Sequence, residues 1–146
     1  MQTDFLKATG DGGVVTVTID RPQRKNAMTQ AMWREMAALF RGFATDDAVR
    51  VVVLRGAGAD FCAGADIGEF ETVRGDAASA RVYESANSAA FAAIRECPVP
   101  TIAAIGGICF GGGFGLAAGC DIRLASADAV FSVPAARLGL AYPVDA

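Results

Sequence analysis

The 146-residue chain has no histidine. That absence excludes Ser–His and Cys–His dyads, imidazole general acid–base catalysis and His-ligated metals from its own residues. Cysteine is sparse: Cys62, Cys97, Cys109 and Cys120 stand far apart with no C-x-x-C. Neither a structural zinc site nor a thioredoxin-like redox site is expected, and no metal site is read. Reduced buried thiols in a cytoplasmic protein are the expectation. Thirteen Lys+Arg against sixteen Asp+Glu, with no basic stripe interleaved with aromatics, leave nucleic-acid binding without support. The start, Met1-Gln2-Thr3-Asp4, has neither the basic region nor the apolar core of an export signal. What the chain has instead is apolar content, 53% hydrophobic against 20% charged, enough for one globular domain over residues 1–146 with a buried core.

The apolar content includes a run from Cys97 to Cys120 without a single charge. It exceeds the length of a membrane span, and Gly107, Gly111, Gly115 and Gly119 repeat every fourth residue as in packed membrane helices. Pro98 and Pro100 at its start, and the lack of flanking Lys/Arg clusters, argue against insertion. Two other readings explain the glycines. No Lys follows them, so a phosphate P-loop is excluded. Gly113-Phe114-Gly115-Leu116-Ala117-Ala118 fits the G-x-G-x-x-A of a dinucleotide fold, but Asp121 and Asp128 come too early to hold a ribose. The remaining reading is a site built from backbone amides at the start of a helix.

Taken in order, Phe5–Ala8, a turn at Gly10-Asp11-Gly12-Gly13 and the alternating Val14–Asp20 predict a hairpin. After Arg21-Pro22 and a basic turn through Arg24 and Lys25, Thr29 caps a helix with a stripe of Met32, Met36, Leu39 or Phe40, and Phe43. Val49–Arg55 predicts a strand buried on both faces. A helix over about Ser79–Glu96 turns Val82, Ala86, Ala89, Ala90, Ala93 and Ile94 inward until Pro98 and Pro100 end it. Strands over Thr101–Ile105, Asp121–Ala125 and Val130–Val133 complete an α/β pattern with recurring two-strand, one-helix units and no linker.

Several separated words stand in this framework: Arg21-Pro22 with Lys25-Asn26-Ala27; Phe61-Cys62-Ala63-Gly64-Ala65-Asp66-Ile67; Pro100 to Ile105; Gly111-Gly112-Gly113; Cys120-Asp121; and Phe131 with Pro134 and Leu138-Gly139. Their order and spacing resemble the enoyl-CoA hydratase/isomerase, or crotonase, superfamily over nearly the whole chain. The resemblance implies a crotonase-like α/β fold, a spiral of ββα units, here stopping before the C-terminal helical region that builds trimers in the family. It implies a lyase or isomerase acting on an acyl-CoA thioester. Its carbonyl would sit between the amides of Ala65 and Gly112, where the donors stabilise an enolate. Coenzyme A would be part of the substrate, with no further cofactor. It would lie along Ala63, Ala65 and Ile67 at the adenine, with Arg24 and Lys25 near the phosphates and Ala27 and Asp66 also among its contacts. A homo-oligomer, trimeric or hexameric, is the family's implied assembly.

The chain departs from the family pattern at the proton carriers. The two glutamates of family hydratases fall on Gly115 and Ala135, neither of which can move a proton. Hydration by two glutamates is therefore not expected. Asp66, Glu69, Glu71, Glu84, Asp121 and Tyr142 are the ionisable groups near the motifs, with Asp66 and Asp121 read as caps or turn acceptors. Tyr142 falls where family decarboxylases of malonyl-type CoA esters contact the substrate carboxylate, so such a decarboxylase is one alternative. A non-catalytic subunit that binds CoA esters or serves assembly is another. A free-standing chain of this length is also expected to expose apolar surface.

Overall fold

The computed structural model describes residues 4–142. Met1, Gln2 and Thr3, considered for an export signal, lie outside them, as does Pro143 at the end of the last segment. Strands β1 (Leu6–Asp11) and β2 (Val14–Ile19) form the expected hairpin, registered from Leu6 opposite Ile19 to Asp11 opposite Val14. Gly10 and Asp11 belong to the strand, and Gly12 and Gly13, both at positive φ, make the turn. The first helix, α1 (Gln30–Phe43), starts where the Thr29 hydroxyl accepts the Met32 N–H at 3.3 Å. It buries Met32, Trp33, Met36, Ala37 and Phe40, with Leu39 and Phe43 packed at the edge.

Strand β3 (Val51–Gly56) joins β2 in parallel, followed by β4 (Thr101–Ile105) and β6 (Ile122–Ala125), in the order β1-β2-β3-β4-β6. β3 buries Val52 and Leu54 fully, while Val51 and Val53 are only partly covered and Arg55 is exposed. The expectation of burial on both faces is corrected accordingly: helices cover one face and the other is partly open. A second sheet pairs β5 (Ile108–Phe110) with β7 (Val130–Ser132) in parallel. β5 lies inside the glycine stretch, where the sequence pattern predicts no strand.

Between β3 and β4 run the short helix α2 (Phe70–Val73) and the long α3 (Ala77–Arg95). Asp76 and Ser79 close a reciprocal capping box at the start of α3, two residues before the expected boundary. Ala86, Ala90, Ala93 and Ile94 face inward as predicted, but Val82 is exposed and Tyr83 takes the buried place beside it. The two differ by one residue, which on a helix is about 100° of rotation, so a single step moves a side chain from core to solvent. α3 packs on α1, with Trp33 edge-on to Phe91 at 5.7 Å between ring centroids.

The uncharged run from Cys97 to Cys120 divides into β4, β5 and α4 (Gly112–Gly119). Among the described residues no helix is long and apolar enough to cross a membrane. Gly113 is already inside α4, so the G-x-G-x-x-A segment is helix interior and not the strand-to-helix turn a dinucleotide site uses. Late in the chain, Ile122, Leu124, Val130, Phe131 and Val133 are exposed, in line with the expected open apolar surface.

Candidate active site

The site grows from a backbone strip that crosses from one sheet to the next. Cys62 bridges to Cys109 of β5, taking the Phe110 N–H on its carbonyl at 2.9 Å and giving its own N–H to Ile108 at 3.0 Å. Three residues on, Ala65 bridges to Met28, whose N–H bonds the Gly64 carbonyl and whose carbonyl takes the Asp66 N–H, both at 2.8 Å. In such a parallel bridge the flanking residues make the bonds, so the N–H of Ala65 points the other way. Gly64 between them has φ +95°, and a Cβ there would stand 2.8 Å from the Phe110 carbonyl oxygen. Only glycine lets the strip pass so close to the start of α4.

That start is itself fastened. The Gly111 N–H bonds the Ser132 carbonyl at 2.8 Å, and the Gly111 carbonyl accepts the Tyr142 hydroxyl at 2.9 Å. Gly112, the first residue of α4, comes next with its amide in the unpaired first turn of the helix. Among the described residues, neither the Ala65 nor the Gly112 N–H donates to a backbone or side-chain acceptor. Both residues border one cavity of about 130 Å³, with Tyr142 and Ala135 on its wall. The structure thus brings together Ala65, Gly112 and Tyr142.

Aromatic rings shape the floor beneath α4. A Cβ on Gly112 would stand 2.8 Å from Trp33 Cη2, and one on Gly115 2.7 Å from the Phe91 ring and 2.8 Å from the Tyr142 hydroxyl. Gly115 is buried under these groups. Ala135 does reach the cavity, carrying a methyl group where the resemblance implies a carboxylate. Burial raises the Tyr142 hydroxyl above its ordinary pKa, although a hydrogen-bonding contribution from Gly115 opposes it. The phenol is therefore neutral near pH 7 and acts as a donor.

Sharing the Ala63–Ile67 strip with this cavity is an open cleft of about 470 Å³ bordered by Arg24, Lys25, Ala27, Ala63, Ala65, Asp66 and Ile67. Every residue expected to contact coenzyme A is thus along one groove. The basic turn is rigid at its base: the buried Asn26 amide donates to the carbonyls of Ala57 at 2.9 Å and Asp60 at 2.6 Å, and its oxygen accepts the Arg21 N–H at 3.0 Å. Lys25 and Asn26 both have positive φ, which Asn tolerates better than most residues. Asp66 is spoken for, since its carboxylate holds Arg21 at 3.0 Å, Arg24 at 3.6 Å and the Gly68 N–H at 3.0 Å. Burial alone would raise its pKa. The hydrogen bonds from Arg21 and Gly68 and the charges of Arg21 and Arg24 outweigh that and hold it below the usual carboxylate range. Arg24 and Lys25 keep side chains more than half exposed at the cleft edge.

The remaining ionisable candidates separate. Asp121 accepts both the Thr101 N–H at 2.8 Å and its hydroxyl at 2.9 Å, tying β6 to the start of β4. Glu69 accepts the N–H of Gln30 at the start of α1, and its burial raises its pKa. Glu71 does not border the cavity, whereas Glu84 does. Among the further cavity residues, three with polar groups escape the sequence reading: Arg74, Tyr83 and Asn87. The spacing of Tyr83, Glu84 and Asn87, three and four apart on a helix, is the available signal.

The sequence profile of the enoyl-CoA hydratase/isomerase family matches residues 9–144. The mouse mitochondrial Delta(3,5)-Delta(2,4)-dienoyl-CoA isomerase is 39% identical over 140 residues, covering 90% of this chain and 43% of that protein. The enoyl-CoA hydratase AKT6-1 of Alternaria alternata is 37% identical over 134 residues, 88% of this chain and 41% of its own. Among solved structures, an enoyl-CoA hydratase/carnithine racemase from Magnetospirillum magneticum superposes with a TM-score of 0.91 at 41% identity, over 97% of this chain and 54% of that one. A putative enoyl-CoA hydratase/isomerase family protein from Hyphomonas neptunium gives 0.92 at 33% identity, over 96% and 54%. The chain spans about half the length of the relatives it matches.

Proposed function

The chain belongs to the enoyl-CoA hydratase/isomerase family, as an N-terminal and core part of the crotonase fold, and from that premise we propose that it binds an acyl-CoA thioester and stabilises its enolate. The thioester carbonyl sits between the N–H groups of Ala65 and Gly112. The observation that carries this is the pair of unengaged amides, on two different elements, bordering one cavity. Charge that develops on the oxygen meets donors already in place, and the N-terminus of α4 adds its dipole. Coenzyme A runs over the Ala63–Ile67 strip into the cleft, where Arg24 and Lys25 meet its phosphates and Ala27 lines the wall. Asp66 contributes by holding Arg21 and Arg24 in position.

The fate of the enolate depends on a proton carrier, and Gly115 and Ala135 supply none. Loss of carbon dioxide from a malonyl-type thioester requires the least acid–base help. It is favoured by the Tyr142 hydroxyl, which stands beside Gly111 on the cavity wall.

A β-keto thioester tests the enolate site without assuming a reaction. Acetoacetyl-CoA ionises to an ultraviolet-absorbing enolate, and two good donors should lower the pH at which the bound form ionises by about two units or more. Ionisation of bound and free thioester at the same pH would refute the oxyanion assignment. Incubation with malonyl-CoA and analysis of the products then separates decarboxylation from binding without turnover.

A further inference from the structure

The cavity has a polar end that neither the thioester nor coenzyme A uses. Its Arg74 side chain is 17% exposed and lies over the rings of Phe70 and Tyr83, 5.2 and 5.4 Å from their centroids. Two aromatic faces fix the guanidinium plane before any ligand arrives. Its partner is Glu84, at 2.9 Å, whose side chain is 56% exposed. An ion pair with one partner so open to water contributes little and exchanges readily. Of the described residues bordering the cavity, Arg74 is the only cation and Glu84 the only carboxylate.

The order along the wall places this pair relative to the enolate site. Asn87 Nδ2 lies 3.6 Å from where a Cβ on Gly112 would stand, so Asn87 adjoins the proposed oxyanion position. Glu84 precedes Asn87 by three residues on α3, about one turn or ~5 Å further along the helix. Arg74 is bound to Glu84 beyond it. The proposed coenzyme A cleft shares Ala63, Ala65 and Ile67 with the cavity but not Arg74, Glu84 or Asn87, which leaves the Arg74 end for the acyl group. One helical turn is roughly the separation of the two carboxyl carbons in a five-carbon diacid.

Resting on the proposed thioester binding, we propose that the acyl group this site prefers carries a carboxylate at its far end, received by Arg74 in place of Glu84. Arg74 is then a specificity-determining residue, and Glu84 is the internal stand-in that keeps the guanidinium paired when the site is empty. A planar carboxylate can take two parallel N–H bonds from the guanidinium, a geometry that a neutral alkyl terminus cannot use.

The test compares glutaryl-CoA with butyryl-CoA by calorimetric titration of the protein, since neither carries a double bond and they differ by the distal carboxylate. Glutaryl-CoA is expected to bind about tenfold more tightly, a difference of about 1.4 kcal/mol. In Arg74→Gln the ratio should collapse to about one. In Glu84→Gln, where the competing carboxylate is gone, it should rise above wild type, an effect that a merely structural role for the pair would not give. Equal affinities in the wild-type protein, or an unchanged ratio in Arg74→Gln, overturn the proposal while leaving the thioester site standing. Binding of neither compound removes both.

Discussion

Gly112 offers the sharpest separation of chemistry from packing. Proline at this position deletes the proposed donor and, as the first residue of α4, costs the helix itself little. It also brings a Cβ to 2.8 Å from Trp33 Cη2 and 2.9 Å from Cζ2, closer than a carbon can stand. The indole must shift, and overpacking of this kind costs about 1–3 kcal/mol. Gly112→Ala meets the same indole with the same Cβ but keeps its N–H. The difference between the two variants therefore reports the loss of the N–H together with the ring carbon that takes its hydrogen's place. A single oxyanion donor is worth about 3 kcal/mol, or about two pKa units. In the alanine variant, bound acetoacetyl-CoA should still ionise well below the free thioester. In the proline variant the shift should shrink by about two units, with circular dichroism and the urea midpoint confirming that both remain folded to a similar degree. If the two folded variants ionise the thioester equally, Gly112 is not a donor and the assignment fails.

Contacts elsewhere yield further tests. Restoring the family's acid by Gly115→Glu should destabilise the chain by at least about 1–3 kcal/mol, seen as a lower urea midpoint, because the Phe91 ring and the Tyr142 hydroxyl occupy its space; an unchanged midpoint would contradict that packing. Asp66→Asn should cost about 3 kcal/mol by leaving buried Arg21 without its counter-charge. Because the folded pKa of Asp66 lies below its unfolded value near 4, this stability is present above that pH and fades as pH falls through the folded pKa. Urea midpoints of wild type and variant should accordingly converge toward strong acid and separate above pH 5. Burial pushes the thiols of Cys62, Cys109 and Cys120 up to about 12. A thiol reagent at pH 8 should therefore label half-buried Cys97 first and the others only on unfolding, as followed by mass spectrometry.

Much of the molecule is legible in the chain alone. Val14–Ile19 alternates along one strand, Thr29 caps α1, and prolines bound α3, each through interactions within a few residues. The separated motifs identify the family because their spacing along the chain survives whatever the loops do. β5 is harder to see, since three residues have no period of their own and depend on β7 for a partner. Val82 and Tyr83 exchange places because both are apolar enough to face inward, and the choice rests on Trp33, whose Nε1–H donates to the Tyr83 hydroxyl at 3.0 Å from another helix.

Residue identity and order alone determine the α/β framework, the lack of a histidine, and the lack of an acid at Gly115 and Ala135, where the resemblance to the family implies two glutamates. Packing in three dimensions decides what those two positions mean locally. Gly115 is closed off by Phe91 and Tyr142, while Ala135 opens into the cavity. Packing also gathers Arg74, Glu84 and Asn87 on one wall near Gly112, a grouping that joins α2, α3 and α4 across the chain. Local rules act along the backbone over a turn or two, whereas the neighbours of a cavity are chosen by how helices pack.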